Sequence, residues 1–137
     1  MNYSKSISVF VFVLIGMVAQ AQNRFTNCSA AFLNDKLVVD EYSPTGKCML
    51  DSTAQGKLTV CTAYLDSDKE KCRPVQLIKF KIAIRDANTK TLMMYSDKTY
   101  EKIEISEVMK NCRRGDSIVL LTFKDEYALP HNEILVQ

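Results

Sequence analysis

Residues 75–96 read VQLIKFKIAIRDANTKTLMMYS and carry the clearest hydrophobic pattern in the chain. In the first half of this stretch apolar and basic residues alternate, which is typical of a strand with one buried face. The alternating residues are Ile78, Lys79, Phe80, Lys81, Ile82, Ile84 and Arg85. Residues 86–90 supply turn formers, and residues 92–95 form a returning strand. The stretch predicts a β-hairpin on which the other strands pack.

The chain begins MNYSKSISVFVFVLIGMVAQAQ, which has the pattern of a secretory signal peptide. Lys5 precedes a short apolar run, and Ala19 and Ala21 provide the small residues of an A-x-A cleavage site. The apolar run is shorter than the ~20 residues that a spanning helix needs, so an uncleaved anchor is the weaker alternative. We expect a signal peptide over residues 1–21, cleaved after Ala21, and a single periplasmic or secreted domain over residues 22–137.

Acidic and basic residues nearly balance, with Lys+Arg 18 against Asp+Glu 16. The two signs also alternate along the sequence, as in Asp66-Ser67-Asp68-Lys69-Glu70-Lys71. Because phosphate backbones are bound by concentrated Lys and Arg, this composition argues against a nucleic-acid partner. The sequence has no second long apolar run, so we expect no membrane span after cleavage.

All five cysteines follow the predicted cleavage site: Cys28, Cys48, Cys61, Cys72 and Cys112. Disulfides are the first expectation in a small exported domain, and five cysteines allow two bridges and one free thiol. The spacing does not select one pairing, although the loop at residues 66–71 folds the chain back and favours Cys72 with Cys61 or Cys48. Each native bridge would contribute ~2–4 kcal/mol.

Further short strands, separated by turn residues, are predicted along the rest of the chain. They lie at residues 30–33, 37–42, 48–50, 57–65, 100–105, 117–123 and 127–137. The strand at 57–65 is apolar on both faces, which favours a central position, and Ser43-Pro44-Thr45-Gly46 suits a type I turn. With the hairpin, these strands predict an all-β fold, either a small Greek-key β-sandwich or a barrel, with one short helix.

The short helix is predicted before the strand at 117–123. Ser106 is a favourable N-cap residue, and Glu107 complements the helix dipole in the first turn. The helix is expected to run to about Cys112. Gly115 then suits a left-handed C-terminal cap.

No motif in the sequence has a recognisable catalytic or metal-binding frame. Residues 66–70 resemble the start of a calcium loop, but Lys71 occupies the position that requires Gly. Arg114-Gly115-Asp116 spells the tripeptide that integrins read, yet these residues already end a helix and begin a strand. His131 is the single histidine and lies in a polar turn. We expect a non-enzymatic protein without metal or other cofactor.

The candidate binding surfaces are an exposed edge strand and a basic corner. The basic corner consists of Lys110, Arg113 and Arg114, the one local excess of positive charge in the sequence. Edge strands present unpaired backbone groups, and a positive patch attracts acidic partners. The protein partner itself is not identified by these features.

The stretch ISEVMKNCRRGDSIVL at residues 105–120, followed by Leu129-Pro130, carries a family resemblance. It is similar to the end of the periplasmic region of GldM, a protein of gliding motility and type IX secretion. The last β-domain of that family has a similar short helix, a basic-Gly-Asp corner, a strand, and a Leu-Pro turn before the closing strand. The resemblance implies a bacterial envelope protein with a Greek-key module that binds other proteins, and it implies no catalytic residue.

Together these features predict an exported, non-enzymatic, protein-binding β module of the bacterial envelope, related to secretion or gliding machinery. Two alternatives remain open. One is a small secreted inhibitor or immunity-type protein. The other is an enzyme or thiol-redox factor that uses the odd cysteine, which predicts an accessible thiol with a lowered pKa.

Overall fold

The computed structural model describes residues 28–123 and 129–137, so the predicted signal peptide at residues 1–21 lies outside the described residues. The strands are β1 (Ser29–Leu33), β2 (Lys36–Leu37), β3 (Cys48–Leu50), β4 (Lys57–Tyr64), β5 (Arg73–Leu77), β6 (Phe80–Arg85), β7 (Leu92–Met94), β8 (Lys102–Glu104), β9 (Ser117–Thr122) and β10 (Glu133–Val136). A 3-10 turn spans Lys69–Lys71, and helix α1 spans Ile105–Met109.

The strands form two five-stranded sheets, which confirms the predicted small all-β fold. The first sheet has the order β2-β1-β4-β5, with β8 also paired to β4. The second has the order β3-β10-β9-β6-β7. The pairs are antiparallel except β3 with β10, which is parallel. Both sheets and helix α1 contribute to one hydrophobic core, whose fully buried residues include Phe32, Leu58, Phe80, Ile105 and Ile118.

Strand β4 is the centre of the first sheet, as its apolar pattern predicts. It pairs with β1 along one edge, while β5 and β8 share the other edge. Leu58 and Val60 are fully buried, and Thr59 and Cys61 on the opposite face are also buried. A strand that is buried on both faces reads as a continuous apolar run, which is what this sequence shows.

The predicted hairpin is confirmed between β6 and β7, where Ala83 lies opposite Met94 and Arg85 opposite Leu92. Its first arm is shorter than predicted. Residues 73–77 form a separate strand, β5, in the other sheet, and the chain crosses between the sheets at Ile78 and Lys79. Pro74 lies within β5 next to Val75, which has no partner on β4 because the register shifts there.

Helix α1 begins earlier than predicted. Its N-cap is Glu104 and not Ser106, and no side chain caps it. The reason is that β8 runs directly into the helix, with the Ile105 amide donating to the carbonyl of Gly56 and the Glu104 carboxylate accepting from the Gly56 amide at 2.9 Å. The helix also ends earlier than predicted, at Met109 with Lys110 as its C-cap residue, so Gly115 does not cap it, although Gly115 has the expected positive φ of 93°.

The five cysteines are free thiols in the structure, so the predicted disulfides are not formed. The favoured partners Cys72, Cys61 and Cys48 each bond elsewhere: Cys72 Sγ to the Asp66 carbonyl at 3.4 Å, Cys61 Sγ to Thr59 Oγ1 at 3.5 Å and Cys48 Sγ to the His131 carbonyl at 3.6 Å. Burial raises the pKa of the Cys48 and Cys112 thiols to about 11. This direction is opposite to the lowered pKa that a reactive cysteine requires.

Candidate protein-binding surface

Strand β7 is an edge strand made of three consecutive exposed apolar residues. Leu92, Met93 and Met94 are 43%, 67% and 47% exposed. Within the described residues β7 pairs only with β6, so its other edge is free. An exposed apolar edge is unusual because it can template pairing with another chain.

The backbone of β7 directs hydrogen-bonding groups to this free edge. The Thr91 carbonyl accepts from the Asp86 amide, and the Tyr95 amide donates to the Ile82 carbonyl, so these two residues bond towards β6. Because bonding direction alternates along an antiparallel strand, Leu92 and Met94 direct their amides and carbonyls outwards. These are the groups with which an added strand would pair.

The register places further exposed apolar residues on the same face as Leu92 and Met94. Residues directly opposite one another share a face of a sheet. Following the pairs from β7 through β6, β9 and β10 to β3 defines the outer face of the second sheet, which consists of Leu92, Met94, Ala83, Arg85, Ser117, Val119, Glu133, Leu135 and Met49. Met49 and Leu135 are 40% and 39% exposed. Four large apolar side chains of this face are therefore open to solvent.

An ion pair crosses the middle of the outer face. Arg85 on β6 reaches Glu133 on β10 with Nη2 to Oε1 at 2.8 Å, and β9 lies between the two strands. Val119 on β9 is nevertheless buried. The ion pair thus covers the centre of the face and leaves the apolar rim towards β7 uncovered.

Met93 points to the other side of β7 and lines a groove of about 340 Å³. It lies opposite Ile84, whose strand neighbour Ile118 is fully buried, so this side faces the core layer. Arg113 and Tyr95 also line the groove. The edge strand and one member of the predicted basic corner are therefore parts of one concave surface.

The three basic residues of the predicted corner interact with different neighbours in the structure. Arg113 lies on the β7 groove near Asp86, whose pKa is lowered mainly by hydrogen bonds from the Thr89 and Asn88 amides and slightly by the charge of Arg113. Lys110 forms an exposed ion pair with Glu107 at 3.2 Å. The charge of Arg114 helps to lower the pKa of Asp51, which is lowered mainly by hydrogen bonds from Thr53. Arg113 is thus the residue of the basic corner that lines the groove beside β7.

Asp116 fixes this corner from within. Its carboxylate is buried and accepts from the Ala87 amide at 2.9 Å and the Arg113 amide at 2.8 Å. These bonds tie the β6–β7 turn to the loop that carries Arg113. The Asp of the Arg-Gly-Asp tripeptide is therefore used inside the fold, which confirms the turn interpretation.

Sequence reasoning proposed the basic corner as a binding surface but missed the exposure of Met93 and Met94. The signal was present, since the run Leu92-Met93-Met94 lacks the polar alternation of a half-buried strand. Within residues 28–123 and 129–137 no cluster of His, Cys, Asp and Glu could hold a metal ion. Among the helices of the described chain, none is long and apolar enough to cross a membrane.

Comparisons of the chain with protein-family models, with curated proteins and with solved structures found no match.

Proposed function

We propose that the protein is an exported, non-enzymatic binding module of the bacterial envelope that captures a partner protein at strand β7. The free, apolar edge of β7 carries this proposal. The predicted signal peptide supports the location. The resemblance to GldM supports a role beside secretion or gliding machinery, because the stretch that carries it supplies Asn111, Arg113 and Asp116 to the same groove.

The partner segment that fits this surface is an extended strand. Its backbone pairs with the outward amides and carbonyls of Leu92 and Met94, as in strand addition to a sheet edge. Its alternate apolar side chains cover Met93 on the groove side and Met94 on the outer face. An acidic residue on the groove side pairs with Arg113, which gives orientation and specificity more than affinity.

The test is capture of partners by the tagged mature protein, residues 22–137, from the envelope of its own host with mild crosslinking and mass spectrometry. Met94→Pro removes an outward amide of β7 and is expected to reduce recovery of a stoichiometric partner at least about tenfold. Met94→Ala keeps the amide and is expected to have a smaller effect. Arg113→Glu is expected to weaken capture by charge reversal.

The matched control is Val75→Pro on β5, the edge strand of the first sheet. The Gln76 amide bonds to the Thr62 side chain on β4, and Val75 lies at the register shift and has no partner residue on β4. This variant makes the same chemical change at the other edge and should retain the partner. Equal capture by Met94→Pro, Arg113→Glu and wild type would show that β7 is not the binding surface.

The same experiment distinguishes the proposed binding module from the inhibitor alternative. If the captured partner is a hydrolase whose activity falls on addition of purified wild-type protein, the protein acts as an inhibitor. If the partner belongs to the secretion or gliding apparatus, the result supports the proposed role as a binding module of that apparatus.

A further inference from the structure

The methionines of the folded domain lie mostly on its surface. Of the six methionines in the chain, four lie among the described residues, and three of these are exposed: Met49, Met93 and Met94. The fourth, Met109, lies in the core and is 7% exposed, against 67% for Met93. The two most exposed thioethers are therefore consecutive residues of strand β7.

Strand propensity does not explain methionine at these two positions. Residues with branched Cβ atoms and aromatic residues are the ones enriched in strands, and the neighbouring strand β6 uses Ile82 and Ile84. Methionine differs from these apolar residues in its thioether, which a two-electron oxidant converts to a polar sulfoxide. The free edge of β7 thus combines an apolar surface with oxidisable sulfur.

The thiols of the domain are less accessible than these thioethers. Three of the five cysteines are buried and two are half-buried. Burial raises the pKa of the Cys48, Cys61 and Cys112 thiols. Because the thiolate is the reactive form, these protonated thiols react slowly with peroxide. Oxidant that reaches the folded domain therefore meets methionine sulfur first.

Met49 differs from the β7 pair because its sulfur already accepts a hydrogen bond. The Gln137 Nε2 donates to the Met49 Sδ at 3.1 Å. This bond engages the lone-pair density with which the sulfur would attack an oxidant. Met49 is also less exposed than Met93 and Met94. It is therefore an internal reference of intermediate reactivity, and Met109 is the buried one.

We propose that Met93 and Met94 form an oxidation site at which peroxide switches the β7 surface from apolar to polar. In each reaction the sulfur lone pair attacks one oxygen of the peroxide, an S–O bond forms and the O–O bond breaks. The leaving hydroxide takes the proton of the transferred oxygen and departs as water. The sulfur is oxidised by two electrons and the peroxide is reduced by two.

The effect of this oxidation on capture rests on the proposed function of β7. Met94 lies on the outer face and Met93 on the groove side, so an added strand covers both thioethers. A sulfoxide oxygen that is buried against apolar side chains loses its hydrogen bonds to water. Oxidation is therefore expected to lower partner capture about tenfold. Both side chains are exposed in the folded chain, so the oxidised domain stays folded.

The first test measures the rate of oxidation at each methionine of the mature protein, residues 22–137, in hydrogen peroxide. Peptide mass spectrometry follows the reaction, and fragment ions separate Met93 from Met94. These two are expected to react first, and Met109 at least about tenfold more slowly. Circular dichroism checks that the chain stays folded. A rate at Met49 or Met109 equal to that at Met93 would overturn the oxidation site.

The second test repeats partner capture after oxidation followed by dithiothreitol, which reduces oxidised thiols and leaves sulfoxides. Wild type is expected to lose capture about tenfold and to regain it after treatment with methionine sulfoxide reductases. The Met93→Leu, Met94→Leu double variant keeps apolar side chains of similar volume and is expected to capture equally before and after oxidation. Met49→Leu is the matched control and should stay as sensitive as wild type.

Undiminished capture by oxidised wild type, an equal loss in the double variant, or a loss that the reductases do not reverse would each overturn the switch. If the unoxidised protein captures no partner, the proposed function fails and the switch fails with it. The oxidation site is then still decided by the rates, because the first test needs no partner.

Discussion

Strands β4 and β7 are both apolar in sequence, yet the middle of β4 is buried on both faces and β7 is exposed. Leu58 and Val60 of β4 are fully buried, whereas Leu92, Met93 and Met94 of β7 are 43–67% exposed. The difference lies in the strand order. β4 has neighbours along both edges, and β7 has one neighbour among the described strands.

This contrast shows that an apolar run identifies a strand but not its burial. In β4 the apolar side chains are explained by the core that they form. In β7 the same kind of side chain contributes little to the core, so the fold alone does not account for it. Surplus apolar surface of this kind marks interaction sites.

Leu58→Ala and Met93→Ala test the contrast most directly. Loss of the fully buried Leu58 side chain leaves a cavity and is expected to lower the free energy of unfolding by about 2–5 kcal/mol. Met93→Ala is expected to change it by less than about 0.5 kcal/mol, because the side chain is already in water. Urea denaturation of both variants measures the two values. Similar losses would mean that β7 is covered within the folded chain.

Variants of Asp116 test what positions β7, because this side chain bonds both the β6–β7 turn and the loop that carries Arg113. Asp116→Ala leaves the part-buried amides of Ala87 and Arg113 without their acceptor, and a loss of about 1–3 kcal/mol is expected. Asp116→Asn keeps one acceptor oxygen and should lose less. Thermal unfolding of both variants checks the order. A reversed order would show that charge at this position matters more than the two bonds.

Sequence periodicity was sufficient for the hairpin and for the central strand of the first sheet. The alternation at Ile82 and Ile84, the turn formers after Arg85 and the both-sided apolarity of β4 predicted a hairpin and a central strand, which the structure confirms. The positive φ of Gly115 was predicted as well, but for the wrong reason, because the helix ends at Met109 and Gly115 does not cap it. The hairpin depends on neighbours a few residues away, whereas β4 was recognisable from its own apolar faces although β1 and β8 are distant in sequence.

The parts that escaped prediction depend on contacts distant in sequence. Periodicity could not reveal that the chain crosses between sheets at Ile78 and Lys79, since both flanking segments keep the strand pattern. The contact of His131 with Ser43 joins residues 88 positions apart, and no spacing rule connects them. The cysteines were misjudged for the same reason, because compartment predicts disulfides while pairing requires geometry.

Arg85 and Glu133 are expected to contribute a smaller effect. Their side chains are 34% and 44% exposed, and a pair of this exposure is worth about 0.2–1 kcal/mol. A double-mutant cycle with Arg85→Ala and Glu133→Ala measures the coupling. A coupling that disappears in about 1 M salt is the expected behaviour of an exposed pair. A larger, salt-independent coupling would mean that the pair is shielded, and that the outer face is better covered than its exposed residues indicate.

The smallest effect is expected from pH at the turn that positions β7. Backbone amides of Thr89 and Asn88 bond to the Asp86 carboxylate and lower its pKa below 3.8. A carboxyl whose pKa is lower in the folded state stabilises the fold above its unfolded pKa, and this contribution is lost as pH falls through the folded value. The stability difference between wild type and Asp86→Asn should therefore be present near neutral pH and shrink as pH falls below about 4. Chemical denaturation across this range measures it. A difference independent of pH would show that the hydrogen-bond geometry of the turn, and not the charge on Asp86, holds β7 beside the groove.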